Sequence, residues 1–170
     1  MIKLDISENR VNIVYLALGS NLGNRIKNIE KAKLLLIKNN ISLISVSKYY
    51  ETASWPNPKN PKFINIVLKA KCLLNPNQLL NLCKSIEVKL GRKKTLKNSP
   101  RECDIDIIDF NSLILKGKLN LPHKRMHKRN FVLFPLFEIE KTWFHRLKKK
   151  NIKTLIFSLS NNDIRSIKQI

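Results

Sequence analysis

At 170 residues the chain is long enough for one domain with its own core, and its apolar runs are too short for a membrane-spanning helix. Lys and Arg outnumber Asp and Glu by 33 to 12, and the net charge of +21 makes a polyanionic ligand the first class to consider. Lys far outnumbers Arg, Asn and Ile are abundant and Gly is scarce, so AT-rich coding accounts for much of that charge as solvated lysines, and nucleic acid is favoured only modestly.

Residues 1–10 are mixed and charged, without the apolar segment of a secretory signal. Residues 11–18 form an apolar run closed by Gly19 and read as a buried strand. Gly19-Ser20-Asn21-Leu22-Gly23 then reads as a turn opening a helix, with Ser20 or Asn21 as its cap. A loop between strand and helix could also cradle phosphate, although this one lacks the lysine and spacing of a P-loop. Ile26, Ile29, Leu34 and Ile37 give the helix a buried face, and Asn39-Asn40 ends it. Residues 41–50 alternate and read as a second strand; residues 52–61, with three prolines and Trp55, read as a loop. Residues 62–72 form a third strand, with Phe63, Asn65 and Val67 on one face and Ile64, Ile66 and Leu68 on the other. Asn75-Pro76 opens a second helix that Gly91 stops, with Leu79, Leu82, Cys83, Ile86 and Leu90 as its inner stripe.

The run Arg101-Glu102-Cys103-Asp104-Ile105-Asp106-Ile107-Ile108-Asp109-Phe110 sets an acidic pair inside an apolar strand of a basic protein. Alternation points Asp104 and Asp106 one way, Ile105 and Ile107 the other, and leaves Asp109 on the face opposite the pair. Two carboxylates about 7 Å apart along a strand repel when both are ionised and no cation lies between them. A divalent ion with oxygen ligands, Mg²⁺ foremost, removes that conflict; the alternative is a solvated face whose acids pair with lysines. Lys84, Arg92, Lys93, Lys94, Lys97 and Arg101 crowd the preceding loop and helix end, either as a solvated charge run or as a triphosphate site beside the metal. Downstream, Gly117 marks a turn, and residues 121–129 are irregular and basic, with a lone His123. Residues 131–140 are helical beyond Pro135, and residues 151–170 have a helical look without legible chemistry. By default Phe63 and Phe131 are core residues and Asn65 a satisfied polar group. Cys72, Cys83 and Cys103 show neither pairing parity nor metal-ligand spacing, which suits a reducing compartment. The order strand–helix–strand–strand–helix–strand describes one ferredoxin-like α+β (βαββαβ) domain over residues 1–170, with a C-terminal extension.

Taken in order, Leu18-Gly19-Ser20-Asn21-Leu22-Gly23, Phe63-Ile64-Asn65, Gly91-Arg92, Ser99-Pro100-Arg101-Glu102-Cys103-Asp104-Ile105-Asp106-Ile107-Ile108, Leu121-Pro122-His123 and Arg129-Asn130-Phe131-Val132-Leu133-Phe134-Pro135-Leu136 resemble the 6-hydroxymethyl-7,8-dihydropterin pyrophosphokinases of folate biosynthesis. The resemblance covers about residues 11–140 and rests most on the P-R-x-x-D-x-D-I block combined with F-V-L-x-P-L. It implies the same ferredoxin-like fold and the transfer of a pyrophosphoryl group from ATP to the pterin hydroxymethyl oxygen, releasing AMP.

By position, the resemblance implies that Asp104 and Asp106 hold two Mg²⁺ ions bridging the triphosphate, with Arg92 and Arg101 as catalytic partners on its oxygens. It implies that Lys84, Glu87, His123 and Arg129 border ATP and that Leu80 and Ile107 flank the adenine. Phe63 and Phe131 would sandwich the pterin, Asn65 would pair with its polar edge, and backbone at Thr52 and Trp55 would complete the pocket. Three places depart from the family pattern. Asn98-Ser99 stands where Trp-Gly is usual, removing a loop aromatic that helps close the site; Lys84 replaces a common Gln, and Lys124 a Pro or Tyr.

The rival from another class is a basic ferredoxin-like RNA-binding domain, and a metal-dependent nuclease is a further one. Against the first, no strand carries the basic-Gly-aromatic pattern of RNA platforms, and the Asp pair would repel phosphate without a metal. The expectation is a cytoplasmic monomer acting on ATP and 6-hydroxymethyl-7,8-dihydropterin, with no specific nucleic acid and no membrane.

Overall fold

The computed structural model describes residues 10–54, 57–93 and 99–170. Strand β1 (Asn12–Ser20) lies antiparallel to β4 (Phe63–Cys72) on one side and to β5 (Asp104–Phe110) on the other. A nearly continuous apolar run is what a strand covered on both faces requires. β4 also pairs with β2 (Ser42–Val46) and then with β3 (Tyr50–Thr52). Helix α1 (Arg25–Lys38) follows β1, and α2 (Pro76–Lys89) links β4 to β5, completing the ferredoxin-like order.

Alternation along the strands sorts the core into two layers. Leu16, Leu18, Ile64, Ile66, Leu68, Ile105 and Ile107 pack under α1 and α2. Tyr15, Val67 and Ile108 pack against α3 (Asn130–Ile139) and α4 (Ile152–Phe157) on the other face. At one end of that second face Ala17, Gly19, Phe63, Asn65, Asp104 and Asp106 line a cavity instead of core. A short hairpin of β6 (Phe144–His145) and β7 (Lys150–Asn151) joins α3 to α4.

Several local expectations are corrected. β1 runs through Gly19 to Ser20, so the turn starts later, and Asn24 rather than Ser20 or Asn21 caps α1 by accepting from Lys27 N. The buried stripe of α1 is Ile29, Ala32 and Leu36, while Ile26, Leu34 and Ile37 face outward. Ala32 carries the helical phase but adds little apolar weight to a sequence pattern. The single strand expected over 41–50 is divided into β2 and β3 at Ser47, whose Oγ accepts from Val67 N and takes a ladder position of β4. α3 begins at Asn130 and holds Pro135 in its interior instead of starting beyond it. Asp109 is not opposite the acidic pair: Tyr15 faces Asp109 while Leu16 faces Ile107, a bulge that returns Asp109 to the face of Asp106. There it is buried, accepting from Trp143 Nε1 at 2.8 Å and Ser112 N at 2.9 Å, which keeps it apart from the acidic pair.

The α2 expectation holds, down to its cap. Asn75 accepts from Gln78 N, Gln78 reciprocates at the Asn75 N–H, and Gly91 leaves the helix with φ +110. Residues 151–170 are only partly helical: after α4 and α5 (Asn161–Arg165) the chain forms β8 (Lys168–Gln169), an added strand on the edge of β3.

Candidate active site

The cavity, about 1280 Å³, opens where β1, β4 and β5 run out beneath the start of α3. Its floor turns on Gly19, which pairs with Asn65 across β4 and with Asp104 across β5. A Cβ at Gly19 would lie 2.8 Å from Asn65 Oδ1 and 3.4 Å from Phe63 Cδ1, so only glycine leaves those side chains their places. Asn65 in turn donates to Thr52 Oγ1 at 3.2 Å, both residues being buried.

On β5 the two carboxylates face the cavity, each held by cations. Asp104 receives Arg92 Nη1 at 2.6 Å on one oxygen and Arg101 Nη2 at 2.6 Å on the other. Asp106 receives Arg129 Nη1 at 2.8 Å, with His123 Nε2 3.7 Å away. Burial alone would raise the Asp104 pKa, but Arg101 and Arg92 outweigh it and hold the carboxyl below its usual range. Burial pushes His123 below the usual imidazole value despite Asp106. Glu87 sits at 1% exposure between Arg92 (2.7 Å) and Lys84 (3.0 Å), and accepts from Ile105 N at 2.8 Å. Burial raises its pKa against that backbone hydrogen bond and those cations. Lys93, Arg125 and Lys128 add further positive charge to the lining.

The aromatic rings share these same arginines. The Arg101 guanidinium carbon lies 5.1 Å from the centroid of Phe63, and that of Arg129 lies 5.4 Å from Phe131. Behind them, Asn21 is a buried junction that accepts from Arg101 N at 2.8 Å and donates to Ser54 Oγ and Pro61 O at 3.1 Å. It ties the loop after β3 to the loop before β5, a role that a lone Asn in a turn does not announce in sequence.

Thr52, Phe63, Asn65, Lys84, Glu87, Arg92, Arg101, Asp104, Asp106, His123, Arg129 and Phe131 all line the one cavity. Leu80 and Ile107 do not; Ile107 occupies the opposite strand face and both pack in the core with α1 and α2. Trp55, Lys94, Lys97 and Asn98 lie outside the described residues. Among the described residues no group of three or more His, Cys, Asp or Glu gathers as a metal cage. A carboxylate pair suits Mg²⁺, which keeps water and takes substrate phosphate oxygens to complete its octahedron.

Residues 15–141 match the family model of 7,8-dihydro-6-hydroxymethylpterin-pyrophosphokinase. The chain belongs to this family. It is 40% identical over 141 residues to the 2-amino-4-hydroxy-6-hydroxymethyldihydropteridine pyrophosphokinase of Aquifex aeolicus, covering 82% of this chain and 88% of that protein. It is 41% identical over 130 residues to the Bacillus subtilis protein of the same name, covering 75% of this chain and 78% of that one. The folic acid synthesis protein FOL1 of Dictyostelium discoideum is 42% identical over 135 residues, covering 79% of this chain, which spans only 20% of that longer relative. In fold, the Plasmodium falciparum HPPK-DHPS crystal structure with pteroate superposes with a TM-score of 0.71 at 18% identity, over 87% of this chain and 42% of that one. As a member of the family the chain is a transferase that moves a pyrophosphoryl group from ATP to hydroxymethyldihydropterin in folate biosynthesis. The family uses ATP as co-substrate, generally with Mg²⁺. Among the described residues no helix is long and apolar enough to cross a membrane.

Proposed function

We propose that the cavity is divided between the two substrates along Gly19, with the pterin on the Asn65 side and the triphosphate on the Asp104 side. The observation that carries this is the pairing of Gly19 with both residues, which sets a recognition amide and a carboxylate on adjacent strands of one floor. Phe63 and Phe131 stack on the flat pterin, Asn65 pairs with its polar edge, and Thr52 fixes the Asn65 amide. Arg92, Arg101, Arg129 and His123 bind the phosphates, their net positive charge exceeding that of the two carboxylates beside them. Two Mg²⁺ ions on Asp104 and Asp106 would neutralise charge on the triphosphate and hold it for attack at the β-phosphorus. Lys84 and Glu87 border the nucleotide, Glu87 acting through Arg92 and the Ile105 N–H rather than by contact.

Three buried free cysteines suit the cytoplasm. The RNA-binding reading loses its surface: the sheet face that such domains offer to bases is covered here by α3 and α4. The deciding assay incubates the chain with ATP, Mg²⁺ and 6-hydroxymethyl-7,8-dihydropterin and separates the nucleotides. One AMP per pterin diphosphate is expected. ADP as the pterin-dependent product would overturn attack at the β-phosphorus.

A further inference from the structure

The N-terminus of α3 carries Phe131 yet lacks a side-chain cap, because the residue in the cap position is Arg129, whose guanidinium has no acceptor to offer the first N–H groups and instead donates to Asp106. Asn130 stands in for it and is itself held from elsewhere. Its Oδ1 accepts from Phe131 N at 2.7 Å, while its Nδ2 donates to Asp163 O at 2.6 Å and Ser166 Oγ at 3.1 Å. Both donor hydrogens and an acceptor lone pair are thus used, at a residue only 8% exposed. The segment that receives them is locally folded: Ser160 caps α5 by accepting from Asp163 N, and Ser166 Oγ donates to Asp163 O.

The same segment continues into β8, where Gln169 pairs with Tyr50 and Ile170 N donates to Tyr49 O at 3.0 Å. β3 ends in Thr52, the partner of Asn65. Residues 160–170 therefore connect the element carrying Phe131 to the element carrying Thr52, and Asp163 and Ser166 themselves line the cavity.

We infer that residues 160–170 are a strap that positions the pterin pocket, with Asn130 as the positioning residue through which it sets Phe131. The strap does not touch the reacting atoms. It fixes the separation of the ring-stacking wall on α3 from the Thr52–Asn65 edge, and so acts on pterin affinity while Asp104 and Asp106 on β5, with Arg92 and Arg101 that hold Asp104, stay as they are. This inference rests on the placement of the pterin between Phe63 and Phe131.

The test measures equilibrium binding of a fluorescent dihydropterin lacking the hydroxymethyl group, and separately of a non-hydrolysable ATP analogue with Mg²⁺, to the full chain. Asn130→Ala and Asn130→Asp should each weaken pterin binding about three- to tenfold, the range of one or two lost neutral hydrogen bonds, with nucleotide affinity within about twofold. The Asp variant keeps an acceptor for Phe131 N but loses both donors, so pterin affinity like that of the unmodified chain would overturn the strap and leave only a local cap. Equal weakening of both ligands would also overturn it, because a general loosening of the fold does that. Phe131→Ala is the reference: intact pterin binding there would overturn the pocket assignment itself, and a loss there without one at Asn130 would overturn the strap alone. Should Asn130→Ala fail to fold, Ser166→Ala removes one acceptor of the Asn130 amide together with the Ser166–Asp163 hydrogen bond, and a pterin-selective loss is still required of it.

Discussion

Arg101 donates from Nη2 to Asp104 Oδ2 at 2.6 Å, so a residue expected on phosphate is also the present partner of a residue expected on metal. With Arg92 on the other oxygen, Asp104 is fully engaged by guanidinium. A divalent cation arriving alone must compete with those two charges, whereas a triphosphate draws the arginines onto its own oxygens and frees the carboxylate. Metal and nucleotide binding should then reinforce each other, by linkage equally in both directions. Arg101→Ala should tighten Mn²⁺ binding in the absence of nucleotide, by roughly tenfold, and weaken nucleotide binding. A paramagnetic titration that finds metal affinity unchanged or lower in the variant would refute the competition.

The pair Asp104 and Asp106 is not in the electrostatic conflict that their spacing alone suggests, because each carboxylate has its own arginine. Asp106 and Arg129 are mostly buried, but Asp106→Asn keeps an oxygen to accept from Arg129, so the fold loses little, while a charged oxygen ligand is removed where charge develops, which is large. Asp106→Asn should lower turnover at least about a hundredfold while the thermal midpoint moves by no more than a few degrees. A variant keeping about a tenth of the activity would exclude Asp106 as a ligand.

Gly19→Ala should strike the pterin side first. Its Cβ would meet Asn65 Oδ1 at 2.8 Å, and Asn65 is anchored to Thr52, so the amide must leave its hydrogen bond or the strands must part. Overpacking of this kind costs about 1–3 kcal/mol. Pterin affinity should fall with little change for nucleotide; unaltered pterin binding would show that Asn65 can shift without consequence.

The order of strands and helices, the faces of β4 and both ends of α2 were legible because each rests on a local rule: alternation, a capping box, a glycine at positive φ. The floor of the site was legible through the D-x-D block, since alternation alone puts Asp104 and Asp106 together. What stayed hidden depends on partners far away in sequence. Asn21 bonds to Arg101, Ser54 and Pro61, and Asn130 to Asp163 and Ser166, and no spacing rule links those positions. Asp109 was misplaced because a bulge breaks the very alternation used to read the strand. Ile107 is adjacent to a cavity residue in sequence yet buried in the opposite core, for the alternation that exposes Asp106.

The second core, on the α3 side, carries a pH dependence of its own. His145 is 2% exposed, edge-on to Trp143 at 5.6 Å and to His127 at 5.9 Å, with Nδ1 accepting from Lys148 N. Burial, then the charges of His127 and Lys148, push its pKa from 6.5 down to about 4. A histidine depressed in the folded state is neutral there while the unfolded chain already binds a proton. Stability from this group is therefore complete above the unfolded value of 6.5 and is lost as pH falls toward about 4. The ceiling over that interval is about 3 kcal/mol. Glu140, held near pKa 2 by Lys69 and Thr142, loses its contribution only at lower pH, below the ordinary carboxylate value of 4.5. His127 and His123, also pushed down by burial, act in the same direction over that interval, while Glu87 and Asp109, pushed up by burial, act in the opposite one, so the share of His145 is read from the difference between the chain and a variant. His145→Asn, which keeps an acceptor for Lys148 N and removes the titration, should melt at lower temperature near neutrality but fall less steeply on acidification. Melting curves of the two proteins that run parallel from neutral pH to about 4 would show that His145 takes up no proton on unfolding.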